Sequence, residues 1–338
     1  MNTHPPKIDV HAHLAGVGTN GSGCWTSPGF RRRYTFRLLR LKYRITGEQM
    51  RNTVDADWAA MLARLVRESE LDRAVALGFD GVYDQNGELD PEQSQMIVPP
   101  AWVFRMCREH PELLPGPSIN PYRRDALERL EECIAGGAVL LKWLPIVQAI
   151  NPGDPSLARF YQRMADARLP LLVHASGGEQ TFATVRPEYN NVRLLELPLD
   201  LGVPVICAHS GTRVHAAREP DQLPALRELF GRYPHLWVDN SGLANPSRFA
   251  HLPRLAGDPL FNERTLYGSD WPVPSNAFYF PRKLGARRVY ALERQTNALQ
   301  RDVDLKRALG YPETTLTRAA RVLPFLDRWL TDFASQST

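Results

Sequence analysis

The chain has 338 residues, of which 43% are hydrophobic and 23% charged, the balance of an ordinary globular protein. Its net charge of +4 comes from 41 basic and 37 acidic residues spread along the sequence, so we expect no nucleic-acid partner. No apolar run reaches the roughly 18 residues of a membrane span, and the amino terminus lacks the apolar core of a secretory signal. Four widely separated cysteines without a CxxC pair predict free thiols. We therefore expect a cytoplasmic protein that does not bind membranes.

Short apolar runs alternate with longer amphipathic stretches along the chain. The predicted strands are 7–14, 71–79, 113–119, 138–145, 170–176, 203–210, 236–242 and 265–271. Helices are predicted between them, including 55–69, 123–135, 156–168 and 222–233. Near-continuous apolar strands that alternate with helices are typical of a parallel sheet covered on both faces. Eight such strands over this length predict an α/β fold, a distorted (β/α)8 TIM barrel.

The sequence contains no internal repeat, low-complexity segment or linker-like change in composition, so we expect one domain over 1–338. Two long insertions are additional to the strands and helices of a minimal barrel. They are 15–54 after the first strand and 275–312 after the last. Both should emerge at the carboxyl ends of the strands, the face where barrel enzymes carry their active sites. The arginines from Arg31 to Arg44 alternate with apolar residues. They predict a short lid helix with a solvated basic face; contact with a substrate carboxylate is the alternative.

Polar side chains stand at the ends of several apolar runs. His11 and His13 are two residues apart on the first strand and should share one face, which leaves Ile8, Val10, Ala12 and Leu14 to face the helices. Further polar residues at strand ends are His174, His209 and Asp270. Because the carboxyl ends of parallel strands meet at one face of a barrel, these five side chains should converge there. A single histidine at such a position is more often a core residue; the ordered set indicates a metal site.

Imidazole and carboxylate donors without thiolates suit Zn²⁺ or a similar divalent ion in an open catalytic site. Lys142 is a further candidate ligand, because it interrupts the apolar run AVLLKWLP and is one of only five lysines in the chain. Burial depresses the pKa of a lysine, and the neutral amine can then react with CO₂ to form a carbamate that bridges two ions. An unmodified cation that pairs with substrate or with Asp270 is the other interpretation.

The ordered set His11, His13, Lys142, His174, His209 and Asp270 resembles the metal-ligand pattern of the amidohydrolase superfamily. The segments DVHAHL, LLVHASGGEQTF, CAHSGT and YGSDWPVP are similar to its amidohydrolase 2 branch. The resemblance implies a distorted barrel, one or two divalent ions and a metal-bound hydroxide as nucleophile. Homodimers are common in this superfamily. The branch also contains decarboxylases, lactonases and hydratases, and a lysine in the fourth strand favours hydrolysis.

We therefore expect a metal-dependent hydrolase that acts on a small carbonyl, ester, amide or lactone substrate. Asp270 would be the general base, and His209 would be a ligand or, with a single ion, an acid–base group. Asn240 and Ser241, which end the seventh predicted strand, would contact the substrate. The alternative is a non-oxidative decarboxylase of an aromatic or enoic acid. A barrel that binds metal without catalysis is the third hypothesis.

Overall fold

A computed structural model of the chain describes residues 4–175, 177–215 and 218–331. Eight parallel strands form its centre, and each lies within a predicted apolar run. They are, as the first to eighth barrel strands, Ile8–His13, Arg73–Leu77, Leu113–Gly116, Leu141–Trp143, Leu171–Val173, Val205–Cys207, Leu236–Asp239 and Thr265–Leu266. The first three strands pair in order, and so do the fourth to eighth.

Backbone hydrogen bonds join these two sheets into a ring. Between the third and fourth strands, Val139 N donates to Pro115 O at 2.9 Å, and Lys142 N donates to Pro117 O at 2.9 Å. Between the eighth and first strands, Val10 N donates to Tyr267 O at 2.9 Å, and His13 N donates to Trp271 O at 2.8 Å. The predicted (β/α)8 TIM barrel is confirmed.

Helices surround the ring and fill the long connections. The α-helices are Pro28–Arg32, Tyr34–Lys42, Gly47–Asn52, Val54–Arg67, Pro100–Glu109, Ala126–Ala135, Pro145–Gln148, Ala158–Asp166, Glu196–Asp200, Leu223–Arg232, Leu252–Ala256, Pro259–Arg264, Pro281–Leu284, Ala286–Glu293, Ala298–Ala308, Thr314–Thr317 and Leu326–Thr331. Short 3₁₀ helices span Pro155–Leu157, Pro187–Tyr189, Val192–Leu195, Ala208–Gly211, Ala277–Tyr279 and Arg318–Arg321. Two small antiparallel ribbons pair Trp25–Thr26 with Met96–Ile97 and Val82–Tyr83 with Leu89–Asp90. None of the helices in the described part of the chain has the length and apolar character that a membrane crossing requires.

Apolar side chains from strands all around the ring fill the inside of the barrel. This interior cluster includes Ile8, Val10, Val75, Leu77, Leu114, Leu172, Ile206 and Leu266, and Leu323 and Leu326 close one end of it. On the outside, Trp58 and Leu62 of the helix Val54–Arg67 pack against Ala74 and Ala76 of the second strand. Alternate residues of the second strand therefore face the interior and the helices, as the alternation of a strand requires.

The first strand departs from simple alternation. Asp9 pairs with Ala74 and Ala12 pairs with Ala76, so three steps along the first strand match two along the second. This β-bulge resets which side chains face inward. The prediction that Ile8 and Val10 face the helices is therefore wrong, since both lie in the barrel interior, whereas Ala12 packs against the helices as predicted.

The buried Asp9 side chain holds the bulge. Its Oδ1 accepts hydrogen bonds from His11 N at 2.9 Å and from Ser269 N at 3.0 Å. The bulged amide of His11 thus has a partner although it is out of register with the second strand. The bulge lets His11 and His13 face the mouth of the barrel together, above the apolar interior.

The two insertions have different positions. Residues of 15–54, including Phe30, Phe36 and Leu39, line a cavity at the mouth of the barrel, as expected of a lid. Among the described residues, the insertion 275–312 contributes none to that lining, and its place at the catalytic face stays a prediction. Its helix Ala298–Ala308 instead packs Leu299 and Val303 on the outside of the barrel, in the same apolar cluster as Trp58.

The side chain of a buried lysine connects this outer helix to the barrel by hydrogen bonds. Lys306 Nζ donates to Gly268 O at 2.6 Å and to Asp302 Oδ2 at 2.6 Å, and both side chains are only 2% exposed. The same carboxylate oxygen accepts a hydrogen bond from Tyr267 Oη at 2.9 Å. Because the pair is buried, removing one partner leaves a charge without compensation.

We predict that Lys306→Met lowers the free energy of unfolding by about 3 kcal/mol, because Asp302 remains buried and unpaired. Urea denaturation measures the change as a lower midpoint with an unchanged slope. The exposed Lys283→Met is the matched control and should change the midpoint little. In the double variant with Asp302→Leu, both charges are gone and much of the loss should be recovered. An unchanged midpoint in Lys306→Met would show that the buried pair does not stabilise the barrel.

Candidate metal centre

The predicted ligands meet at the carboxyl ends of five strands. His11 and His13 lie at the end of the first strand, and Lys142 lies in the fourth. His174 follows the fifth strand directly, and His209 lies two residues beyond the sixth. Asp270 follows the eighth strand, where its backbone amide donates to His11 O at 2.8 Å. All except His13 are buried.

The tightest group consists of His11, His13 and Asp270. The Nε2 atoms of the two histidines are 3.2 Å apart, and Asp270 Oδ1 lies 3.5 Å from His11 Nε2 and 3.3 Å from His13 Nε2. Donor atoms about 2.0–2.1 Å from one tetrahedral ion are roughly 3.3 Å from each other. The three donor atoms therefore have the spacing of ligands to a single divalent ion, and the donor set fits the metal that the sequence predicts.

The other nitrogen of His11 is fixed by a carboxylate. His11 Nδ1 lies 2.7 Å from Asp239 Oδ2, and both side chains are completely buried. Burial raises the pKa of Asp239, but the electrostatic interaction and the hydrogen bond with His11 outweigh it, so its pKa lies well below the usual range. An ionised Asp239 accepts the Nδ1 proton, which leaves the Nε2 lone pair of His11 directed at the group of three.

Lys142 lies on the opposite side of His11 from Asp239. Its Nζ is 3.2 Å from His11 Nε2, and the side chain is 2% exposed. No carboxylate of the described residues comes within 4.0 Å of this amine. Burial lowers the pKa of Lys142 to about 8. The amine is thus buried beside a candidate metal ligand without a salt bridge.

His174 and His209 form a second part of the site. Their ring centroids are 5.0 Å apart, and the His209 ring stacks on His11 at 5.2 Å. His174 Nε2 donates to Gly177 O at 3.0 Å, so its Nδ1 is the nitrogen left for a ligand. His209 Nδ1 lies 3.0 Å from Ser241 O, which leaves its Nε2. In both rings one nitrogen is held by a backbone carbonyl, the usual support of a metal-binding histidine.

Burial disfavours the protonated form of the three buried histidines. Burial, with the charge of Lys142, lowers the pKa of His11 to about 4. Burial, with the charge of Arg248, lowers the pKa of His209 to about 3, and burial also holds the pKa of His174 far below its ordinary value. Metal ligation requires neutral imidazoles. These rings can therefore bind an ion near neutral pH without first losing a proton.

Asp270 stays ionised in the same surroundings. Burial raises its pKa, but the electrostatic interactions with His209, His13 and His11 outweigh it, so the pKa lies well below the usual range. Asp270 has a φ of 63°, in the left-handed region. A Cβ on Gly242, itself at φ 61°, would lie 2.5 Å from Asp270 Oδ2. A glycine at 242 is thus required for the carboxylate to occupy its place.

The structure places Asn240 and Ser241 away from the substrate cavity. Both are completely buried, and neither lines it. Ser241 Oγ lies between the rings of His11 and His209, 3.0 Å and 2.8 Å from their Nδ1 atoms. Asn240 Oδ1 accepts a hydrogen bond from Gly268 N at 3.2 Å. Both residues support the site from behind, and their predicted contact with substrate is not supported.

A cavity of about 620 Å³ opens directly above the group of three and also reaches Lys142, His174 and His209. Its roof comes from the 15–54 insertion and from the segment after the fifth strand. Phe30 stacks on Phe182 at 4.7 Å, and Lys42 Nζ donates to Pro272 O at 3.2 Å. The walls are mainly apolar, with Arg248 as an exception beside the histidines. Such a cavity has the size and lining of a small-molecule site.

A family model described as amidohydrolase matches residues 8–309. The chain belongs to the amidohydrolase family. Its members are metal-dependent enzymes, and the chain has the groups of histidine and aspartate that could bind a metal ion. The resemblance stated from the sequence is confirmed.

Solved structures similar to this amidohydrolase share its fold at low identity. A probable 2-pyrone-4,6-dicarboxylic acid hydrolase from Acinetobacter baumannii, solved with citric acid bound, is 13% identical at a TM-score of 0.55, with 94% of this chain and 99% of that chain covered. A 2,6-dihydroxybenzoate decarboxylase from Rhizobium is 12% identical at a TM-score of 0.52, with 94% and 99% covered. An uncharacterized TIM-barrel protein from Bordetella bronchiseptica is 17% identical at a TM-score of 0.52, with 90% and 98% covered. Among curated proteins, none matches this sequence.

Sequence reasoning missed Asp239. This residue ends the run LWVD, and its side chain accepts from His11 Nδ1, His209 N at 2.7 Å and Ser241 N at 3.0 Å. The available signal was an aspartate at the end of an apolar run. The same signal pointed to Asp270, which follows the eighth strand. In the amidohydrolase site it aligns the first, sixth and seventh strand ends.

We predict that Asp239→Asn lowers the Zn²⁺ affinity of the protein about 10- to 100-fold, because the amide cannot hold His11 in the same tautomer as an ionised carboxylate does. Competition with a chromophoric chelator measures the affinity. Asp166→Asn, on an exposed helix position, is the control and should bind Zn²⁺ like the unaltered protein. Equal affinities in the two variants would remove Asp239 from the support of the site.

Proposed function

We propose that this amidohydrolase hydrolyses a small substrate with a carbonyl group, such as an ester, amide or lactone, at a metal centre built from His11, His13, Lys142, His174, His209 and Asp270. The observation that carries the proposal is the spacing of the donor atoms of His11, His13 and Asp270, which are 3.2 to 3.5 Å apart at the floor of the cavity. The donors suit Zn²⁺ among the common divalent ions. A bound ion would polarise the substrate carbonyl and make a nearby water more acidic.

Asp270 is proposed as the general base. Its Oδ1 belongs to the group of three, while Oδ2 points toward His209, 3.9 Å from His209 Nδ1. The carboxylate is ionised at neutral pH and lines the cavity, so one oxygen can accept the proton of the attacking water and pass it to the leaving group. His209 is held by Ser241 and is proposed as a ligand or, with a single ion, as the acid–base partner.

Lys142 is proposed as the site of a carbamate that bridges two ions. With a pKa of about 8, about half of the amine is neutral at pH 8, whereas an ordinary lysine is almost entirely charged there. The amine lies between His11 and the part of the site formed by His174 and His209. A carbamate at this point would supply the second negative charge that a pair of divalent ions requires.

Non-oxidative decarboxylation is the second candidate reaction. The similar structures carry both activities by name, a probable hydrolase and a decarboxylase, so the fold alone does not decide between them. The buried amine of Lys142 favours hydrolysis, because an anionic bridge supports two ions.

A homodimer stays a prediction. Cys24, Cys107, Cys133 and Cys207 are all free and buried, which supports the proposed cytoplasmic location.

We expect the purified protein to contain about one to two equivalents of a divalent transition metal and to hydrolyse members of a panel of lactones, aryl esters and carboxamides. Dialysis against a chelator should abolish hydrolysis, and Zn²⁺ or Mn²⁺ should restore it. The same preparations are tested with hydroxybenzoic acids, with CO₂ release as the readout. Metal-dependent CO₂ release without hydrolysis would establish the decarboxylase, and activity that survives metal removal would contradict both reactions.

We predict that Lys142→Ala lowers the metal content from two ions to one and abolishes hydrolysis, because the bridge is lost. Acetate or formate should restore part of the activity by occupying the vacated space. Labelling with ¹³C-bicarbonate should give a carbamate resonance in the unaltered protein and in the exposed control Lys283→Ala, and none in Lys142→Ala. Unchanged metal content in Lys142→Ala, together with no carbamate resonance in the unaltered protein, would identify Lys142 as an ordinary cation.

A further inference from the structure

Arg248 stands in the cavity wall beside the histidines, on the segment that follows the seventh strand. The Asn245 side chain orders this segment, because its Oδ1 accepts from Ser247 N at 3.0 Å and from Arg248 N at 3.0 Å. The turn directs Arg248 inward, where only 4% of the residue remains exposed while it lines the cavity. A local side-chain cap thus fixes a charged group inside the barrel mouth.

The guanidinium of Arg248 lacks an anionic partner. Its buried Nη2 has no hydrogen-bond partner among the described residues, and Nε makes a long contact of 3.4 Å to Thr212 O. No carboxylate in the described part of the chain lies within 4.0 Å of it. Buried arginines are normally paired, and an arginine keeps its charge at every physiological pH. The cavity therefore contains a fixed positive charge without a direct salt bridge among the described residues.

The acidic groups that act on Arg248 are occupied elsewhere. Glu219 accepts from Gly178 N at 3.0 Å and from Val214 N at 2.7 Å. Glu179 accepts from Thr181 N at 2.6 Å and from Phe182 N at 3.2 Å. Asp270 belongs to the candidate metal centre. Asp239 also acts on Arg248 but is paired with His11, and none of these four carboxylates forms a salt bridge with the guanidinium.

Gly177 makes room for this guanidinium. A Cβ on Gly177 would lie 2.4 Å from Arg248 Nη2 and 2.6 Å from Thr212 O. The carbonyl of the same glycine holds His174, so the guanidinium and the metal centre share one backbone neighbour. An anion bound to Arg248 would lie next to the proposed reaction centre.

Apolar side chains form the part of the cavity above the metal centre, and polar residues such as Glu179, Gln180 and Asn245 line it elsewhere. Phe30, Phe36, Leu39, Trp58 and Phe182 line it above the metal centre. The roof also contains Arg40, whose Nε has no partner, but Arg40 lies on a helix without buried residues. Of the two arginines, Arg248 is therefore the desolvated one, and a charge–charge contact is stronger where water is excluded. Lys142, the other buried cation of the lining, lies beside His11 at the candidate metal centre.

We propose that Arg248 binds a carboxylate of the substrate, and that the substrate is an amphipathic carboxylic acid with an apolar body under the roof and its reacting carbonyl above Asp270. The reaction at that carbonyl rests on the proposed function, whereas binding of the carboxylate by Arg248 does not. The bidentate geometry of a guanidinium suits a planar carboxylate, and a neutral analogue would leave the cation unpaired.

Binding of a matched pair of probes tests the proposal. The probes are 4-phenylbutyrate and its neutral amide, 4-phenylbutanamide, measured by isothermal titration calorimetry with the protein as purified and after metal removal. We expect the carboxylate to bind about tenfold or more tightly than the amide, and Arg248→Gln to abolish that preference in both preparations. Arg213→Gln is the control, because Arg213 is a half-buried arginine on a neighbouring segment that does not line the cavity.

A crystal structure of the unaltered protein with 4-phenylbutyrate gives a second measurement that does not depend on the folding of a variant. Carboxylate oxygens within about 3.2 Å of the Arg248 guanidinium support the proposal. A carboxylate bound only at Lys142, at Arg40 or at the metal would overturn it, as would a preference that persists in Arg248→Gln or is lost equally in Arg213→Gln. Carboxylate preference without any hydrolysis would contradict the proposed function and leave the role of Arg248 intact.

Discussion

The site depends on the hydrogen bonds that the buried carboxylate of Asp239 accepts. One oxygen binds His11 Nδ1, and the other accepts from the backbone of His209 and Ser241 and from the Ser241 hydroxyl. These donors come from the ends of three strands, so a single charge positions the two rings that stack at 5.2 Å. A buried ionised group is unfavourable unless it is fully hydrogen-bonded. The requirement to satisfy this charge therefore also fixes the orientation of the candidate ligands.

Strain in the backbone accompanies this arrangement. His209, Ser210 and Asp270 have φ values of 54°, 50° and 63°, which cost on the order of 1–3 kcal/mol each for residues with a side chain. The bonds to Asp239 and the space left by Gly242 hold these residues in place. The connections after the sixth and eighth strands thus turn sharply enough to bring His209 and Asp270 back over the barrel.

The sequence predicted the parts of the fold that depend on periodicity. All eight strands lie within the predicted apolar runs, and the polar residues at strand ends meet as expected, because parallel strands in a barrel present their carboxyl ends to one face. The bulge at Asp9 was not predictable, since its register depends on pairing with the second strand. Asp239 and Arg248 were missed because only their surroundings in the fold make them important. Asp239 accepts four hydrogen bonds, and Arg248 is buried without an anionic partner. For the same reason, the sequence did not show that Asn240 and Ser241 lie outside the lining of the cavity, since a strand end alone does not say which side chains reach it.

Exposure is uneven around the group of three. The His13 side chain is 25% exposed, whereas those of His11 and Asp270 are 0% and 9% exposed. Water thus has access to the group mainly along His13, since the other two side chains are enclosed by the barrel and by the strand ends. An ion that exchanges with the solvent would meet His13 first on entry and leave it last on release. We therefore expect a change at His13 to alter the rate of metal exchange more than an equivalent change at the enclosed His11.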